Sequence, residues 1–326
     1  MERRQFLWGG TLATLAGMAC GGRTTFATES ETTGAETMGA AECTGRRKGN
    51  PIAVSTYSYW RYRDDSVTTI EDCIEQAARD GFDGVEILEK QMDRKDPEYL
   101  RKLKRIALQN GLALCGLSSH QGFVFPDPDE RQKNIDTTIG SIELAYELGI
   151  PIVRINTGRW NTSGDFETLM KQRGIEDPLP GYTDDDAFPW VVESIEQCLP
   201  IAEKCGVILG LENHWGLARL PEGQLKLIDT IHSPCFAAIL DTGNFLEEPY
   251  DKIATVAPRV VYTHAKTYYG GGTWYTLDLD YDRIAAILHG VGYRGFISLE
   301  YEGTEPSDTA IPKSLTLLRN AFATPT

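Results

Sequence analysis

From Pro51 onward the chain alternates two hydrophobic patterns. Short, nearly continuous apolar runs are separated by longer segments in which apolar residues recur every three or four positions. The first pattern reads as strands buried on both faces, the second as amphipathic helices packed over them. Strands are expected at residues 52–56, 84–88, 112–117, 152–156, 207–212, 236–241, 260–264 and 295–299. Helices are expected at 69–80, 97–110, 132–148, 189–205, 222–231, 250–256, 281–291 and 310–323. Gly81, Gly111, Gly149 and Gly206 each follow a helical segment, where a residue tolerant of positive φ ends the helix. Strict alternation of apolar strands and helices implies parallel pairing through crossover connections. Eight such units in roughly 270 residues match a single closed (β/α)8 barrel, the TIM barrel. The rival, an open doubly wound sheet, carries a glycine-rich phosphate turn after its first strand. Ser55-Thr56-Tyr57-Ser58-Tyr59 contains no glycine.

The last four strands break the apolar pattern at their ends. VILGLENHWG reaches Glu212, FAAILDTGN reaches Asp241, VVYTHAK reaches His264 and GFISLEYEG reaches Glu300. A buried charge without a partner is costly, so these groups need one another or a common partner. Side chains alternate along a strand, which puts Gly210 and Glu212 on one face, Ile239 and Asp241 on one, Tyr262, His264 and Lys266 on one, and Ser298 and Glu300 on one. Pointed inward, the four ends converge at the C-terminal mouth of the barrel, where active sites of this fold sit. Three carboxylates there repel one another unless a cation lies between them. Three carboxylates and one imidazole suit Mn²⁺ first and Mg²⁺ next, with Co²⁺ and Zn²⁺ as alternatives. No cysteine stands at these strand ends, against a structural zinc site.

Around this cluster, His120, Arg154, Asn156, His214, Trp215 and Lys266 are candidate contacts for substrate. Trp160 and Trp274 share the post-strand loops with Trp215; each suits either the packing of a lid or the apolar face of a sugar. Glu86 and Glu89 have opposite parity on the second strand, so at most one points inward. Both are expected in salt bridges to a helix or loop. The insertion 158–187 and the loop 270–280 are long enough to cover the mouth.

The composition narrows the partners. The 326 residues carry a formal net charge of −15 and a pI near 4.8, which disfavours nucleic acid and anionic membrane. No apolar run reaches the roughly 20 residues of a membrane span. Seven cysteines are scattered without CxxC pairs, so no disulfide framework is expected. Residues 1–27 carry Arg3-Arg4-Gln5-Phe6-Leu7 before a weakly apolar run and read as a twin-arginine export signal. Cys20 is a candidate lipid-anchoring cysteine. Residues 28–50, rich in Thr, Glu, Ala and Gly, read as a flexible linker ahead of the barrel at 51–326. The protein is therefore expected in the periplasm or tethered to the outer face of a membrane.

The order Glu212, Asp241, His264, Glu300, within LENH, LDTGN, THAK and LEYEG, resembles the xylose isomerase-like barrels over about residues 51–322. That group includes sugar isomerases, ketose 3-epimerases, inosose dehydratases and the endonuclease IV group. In the epimerases the matching four residues bind a divalent metal and the two glutamates exchange the substrate proton. The resemblance implies those roles for Glu212 and Glu300. The chain also departs from those relatives. Asn244 stands where they place a histidine three residues after the metal Asp. Ala218 and Gly272 stand near where the epimerases carry a substrate-binding Glu and Arg. Five histidines and an acidic chain do not suit a trinuclear DNA-cleaving site. The expectation is an exported, metal-dependent sugar isomerase or epimerase acting on an unphosphorylated sugar or polyol. A lyase or dehydratase acting on a 3-keto sugar or glycoside is the alternative, and an exported sugar-binding barrel the non-enzymatic one.

Overall fold

The computed structural model describes residues 49–62 and 67–323. The expected export signal, Cys20 and nearly all of the linker lie outside the described residues. β1 (Ile52–Ser55) runs into a short helix, α1 (Tyr57–Trp60), and then come α2 (Ile70–Asp80), β2 (Gly84–Leu88), α3 (Pro97–Gln109) and β3 (Ala113–Ser118). α4 (Pro128–Leu148), β4 (Ile152–Ile155), α5 (Phe166–Lys171), α6 (Asp184–Cys205), β5 (Ile208–Glu212) and α7 (Pro221–Thr230) follow. The chain closes with β6 (Phe236–Asp241), α8 (Pro249–Val256), β7 (Val260–Thr267), α9 (Tyr281–Gly290), β8 (Ile297–Tyr301) and α10 (Ser307–Ala321). The eight strands form one closed barrel in sequence order, every neighbouring pair parallel, including β1 with β8. This is the (β/α)8 barrel that the alternating pattern implies.

Local signals set the helix ends. Thr69 accepts from the Asp72 N–H at 3.1 Å at the start of α2, and Gly81, Gly149 and Gly206 end helices in the left-handed region. α4 and α6 begin a full turn or more before their apolar pattern predicts. α4 starts at Pro128, with the Asp127 carboxylate accepting from Asp129 N–H at 2.9 Å. α6 starts behind a capping box made by Thr183 and Asp186, so Pro189 sits inside the helix instead of opening it. In both cases the polar first turns carry no hydrophobic periodicity, and the cap decides. β7 and β8 run further than expected, through Thr267 and Tyr301, because their charged ends pair with each other: His264 with Ser298, and Lys266 with Glu300.

The main core lies between barrel and helices, filled by outward-facing residues such as Val153, Leu209, Leu240 and Leu299. Each such side chain contributes about 1.5–3 kcal/mol on burial. Inside the barrel, Ala53, Cys115, Ile152, Ile239 and Tyr262 form a small apolar floor. Gly210 leaves room for it, since a Cβ there would lie 2.5 Å from Ile239 Cδ1. Above the floor the interior is polar: Ser55, Glu86, Ser118, Arg154 and Ser298 are all buried.

Candidate active site

Glu212, Asp241, His264 and Glu300 meet at the mouth of the barrel. One ligand atom from each lies within 4.8 Å of the others. Glu212 Oε1 is 2.7 Å from His264 Nδ1, and Glu300 Oε1 lies 4.0 Å from the same nitrogen. Two buried oxygens of the cluster take no hydrogen bond, Glu212 Oε2 and Asp241 Oδ2. Their nearest cations are Arg154 Nε at 3.4 Å and Lys266 Nζ at 3.1 Å. A native carboxylate oxygen is rarely buried unpaired, and hard oxygens beside an imidazole nitrogen fit a divalent ion. The four residues therefore suit a cation with Glu212, Asp241, Glu300 and His264 Nδ1 as its donors.

Electrostatics drive the two glutamates apart. Burial opposes ionisation of Glu212, but Arg154 and His264 outweigh it and hold its carboxyl well below the usual range. At Glu300 burial wins, with Asp241 and Glu212 adding to it, and the carboxyl rises to about 8 despite His264 and Lys266. Asp241 is pushed up to about 6 by burial, against the pull of Lys266. His264 is raised well above its ordinary value: burial works against the charged ring, and Glu86, Glu300 and Glu212 overcome it.

A cavity of about 760 Å³ opens over the cluster. His120, Arg154, His214, Trp215 and Lys266 line it. His214 is kept neutral by burial, its pKa pushed down to about 3. Lys266 is buried with partners of its own: Nζ donates to Asn244 Oδ1 at 2.8 Å and lies 3.3 Å from Glu302 Oε1. Asn156 is the exception among the expected contacts. Its Oδ1 accepts from Gly158 N–H at 2.9 Å and its backbone pairs with the Gln121 side chain, so it shapes the turn into the insertion and does not line the cavity. Once β4 ends at Ile155, strand parity no longer governs residue 156.

Glu86 corrects a second expectation. It lies inside the barrel, 1% exposed, with an oxygen 3.0 Å from His264 Nε2. Glu89 does pair outside, with Lys95 at 2.7 Å. Sequence reasoning also missed Tyr57, Arg61 and Tyr62, which reach the cavity from α1 and the residues just after it, and Asn244, Tyr275 and Glu302, which reach it from the loops after β6, β7 and β8. α1 left no hydrophobic signature, being one turn long. Glu86 did leave a signal, a single carboxylate in the strand GVEIL on the parity of Gly84 and Leu88.

The insertion after β4 roofs the cavity. Its knot is Glu176, which pairs with Arg159 and accepts from the N–H groups of Asn161 at 3.2 Å and Ser163 at 3.1 Å. Trp215 wedges under α5 against Leu169 and Met170. It fills space that any side chain at Gly174 would occupy, since a Cβ there would stand 2.3 Å from the indole. Trp160 packs away from the cavity against Trp190 and Tyr182 and donates to Asp184 at 2.7 Å. Trp274 stays 47% exposed at the rim, edge-on to Phe166 at 5.3 Å. Glu176→Ala is expected to free Arg159 and loosen the roof, raising KM about tenfold, or about 1.4 kcal/mol, with kcat changed much less. Steady-state kinetics on the variant check this.

A family model described as the xylose isomerase-like TIM barrel matches residues 74–321. Among solved structures, a D-psicose 3-epimerase from Clostridium cellulolyticum H10, determined with D-tagatose, superposes with a TM-score of 0.65 at 18% identity. It covers 84% of this chain and 99% of its own. A 3-keto-D-glucoside 4-epimerase from E. coli gives a TM-score of 0.66 at 15% identity, over 83% of this chain and 99% of its own. A D-tagatose 3-epimerase-like protein gives 0.64 at 18%, over 84% and 100%. At these identities the likeness establishes the fold. No curated protein sequence matches the chain.

Proposed function

The chain belongs to the xylose isomerase-like TIM barrel family, and from that premise we propose that it is a divalent-metal-dependent sugar epimerase or isomerase. One observation carries the reading: four donor atoms within 4.8 Å of one another, two of the carboxylates with a buried oxygen that takes no hydrogen bond, at the base of a cavity of about 760 Å³. A divalent cation held there, Mn²⁺ in the first place, supplies the positive charge that polarises a carbonyl next to the carbon being deprotonated. The chain's own groups then divide the work. Glu212, kept ionised by Arg154 and His264, takes the α-proton, and Glu300, the other carboxylate of the pair, returns one. Return to the neighbouring carbon isomerises; return to the opposite face of the same carbon epimerises. His120, Arg154, His214 and Lys266 hold substrate hydroxyls, while the faces of Trp215 and Trp274 meet its apolar side. The likeness to a D-psicose 3-epimerase and a 3-keto-D-glucoside 4-epimerase supports the same chemistry.

The position of Lys266 favours a second reading, elimination from a 3-keto sugar or glycoside. Its ammonium faces the cavity 3.9 Å from Glu300. As the α-proton leaves to a carboxylate and the carbon–oxygen bond at the β-carbon breaks, Lys266 can give its proton to the departing oxygen. Incubating candidate ketoses and 3-keto glycosides with the protein in D₂O separates the readings. Deuterium washed into recovered sugar supports epimerase or isomerase chemistry; a released alcohol or water supports elimination. Sugar binding with neither result leaves an exported sugar-binding barrel.

We place the enzyme outside the cytoplasm, on the strength of the twin-arginine start, and its substrate is a neutral sugar. The cations around the cavity are already engaged: Arg154 by Glu212, Arg159 by Glu176, Lys266 by Asp241 and Glu302, and Arg61 by the Gly303 carbonyl. The glycine run after β7 is not a phosphate cradle either. Gly271 C=O accepts from Thr304 N–H at 2.8 Å and Gly272 bridges to Gly303, so this backbone is tied to the loop after β8. A paired assay of free and phosphorylated forms of each active sugar is expected to favour the free form. A tenfold higher catalytic efficiency for the phosphorylated form, about 1.4 kcal/mol, would overturn this.

A further inference from the structure

The polar layer below the ligand cluster has no counterpart in the expected four-residue motif. A barrel interior of this fold is normally filled by branched apolar side chains, yet Glu86 sits in its middle. Four donors from three different strands converge on its carboxylate. Ser118 Oγ from β3 and Ser298 Oγ from β8, the latter at 2.7 Å, donate to it. The Tyr262 hydroxyl from β7 donates at 3.2 Å, and His264 Nε2 lies 3.0 Å from both oxygens. A buried charge with this many partners is tolerated, but apolar residues of the same volume would serve stability as well or better. What an apolar group cannot do is orient an imidazole.

We propose that Glu86 is a positioning residue for the cation site: it fixes the ring of His264 so that the lone pair of Nδ1 faces Glu212, Asp241 and Glu300. This rests on the reading of those four residues as a metal site. An ionised carboxylate only accepts hydrogen bonds, so contact at Nε2 demands a proton on Nε2. In the neutral ring the lone pair is then on Nδ1, the nitrogen 2.7 Å from Glu212 Oε1 and 4.0 Å from Glu300 Oε1. The bonds from Ser118, Ser298 and Tyr262 hold the carboxylate plane, which in turn holds the ring plane. Partners of this kind behind a ligating histidine govern metal affinity about as strongly as a weak ligand does. A glutamine at position 86 removes the constraint. Its amide N–H can donate to Nε2, the ring proton moves to Nδ1, and Nδ1–H then donates to Glu212 and closes the site to a cation.

The test is Co²⁺ binding to the full chain by equilibrium dialysis, with the visible absorption of bound Co²⁺ and the melting temperature of the metal-free protein. Wild type is expected to bind one Co²⁺. Glu86→Gln is expected to weaken binding 10–100-fold and to change the Co²⁺ band. Glu86→Asp keeps the charge but draws the carboxylate back by about 1.5 Å, one bond length, and is expected to fall between the two. It decides the matter if the glutamine variant does not fold. Wild-type affinity and an unchanged band in a folded variant, even with a lowered metal-free melting temperature, would make Glu86 a structural residue only and overturn the proposal. If wild type takes up no Co²⁺, the metal reading itself fails and this inference fails with it.

Discussion

Glu212→Gln and Glu300→Gln are each expected to lower kcat by about 10²–10⁴-fold, the range carried by a positioned general acid or base. Glutamine keeps the volume and one oxygen of each side chain, so the cavity keeps its shape. KM is expected to stay within about threefold when the assay is saturated with metal, because most contacts to a sugar come from other residues. Saturation matters, since both residues are also donors to the cation and each variant removes one negative charge from the cluster. In the metal-free protein the two carboxyls differ: Glu212 is held ionised by Arg154 and His264, whereas Glu300 is pushed toward its protonated form by burial. Wild-type turnover in either variant at saturating metal would rule out the proton exchange.

Chelation carries the second large effect. At a free metal concentration a thousandfold above Kd, binding adds about 4.1 kcal/mol to stability. At roughly 2–4 °C per kcal/mol for a domain of this size, stripping the metal is expected to lower Tm by roughly 10 °C. Asp241→Asn should abolish that difference, because it removes a buried donor oxygen, Oδ2, that takes no hydrogen bond. The metal-free protein has its own pH dependence. The Glu300 carboxyl is raised from 4.5 to about 8, so the folded state holds its proton more tightly than the unfolded chain does. That contribution is complete below pH 4.5 and is lost as the pH rises through about 8. Thermal melts with chelator should therefore fall across this window, and added divalent metal should flatten the slope. A melting temperature insensitive to chelator at every pH would refute the site.

The fold was legible because a parallel barrel repeats one pattern, and each repeat tests the last. The four candidate ligand positions were legible for a related reason. Glu212, Asp241 and Glu300 each end an apolar strand, and a charge there needs an explanation. What could not be read follows from geometry that strand parity does not carry. Asn156 lies one residue past the last β4 position, where the chain turns toward the insertion. Tyr57 and Tyr62 reach the cavity from α1 and the turn after it, a segment too short to impose a period. Glu86 was legible in principle: its parity pointed inward, but a salt bridge on the outside was the commoner fate for a lone glutamate. Only the arrangement of Ser118, Tyr262, His264 and Ser298 around it shows why it is inside.

Among the described residues, the roof over the cavity is held by contacts within the chain. Glu176 gathers the insertion around Arg159 and Ser163, and Trp215 is keyed against Gly174. At Gly122 and Gly158 the two post-strand loops pass so close that a Cβ on Gly158 would lie 2.6 Å from the Gly122 Cα. Such a roof is assembled when the protein folds, not when a ligand arrives. Binding should then behave as a single encounter through a fixed doorway. In rapid mixing, the observed rate should climb linearly with sugar concentration and show no plateau from a slow closing step. Selection among sugars would be made at the threshold, by size and shape, before any proton moves.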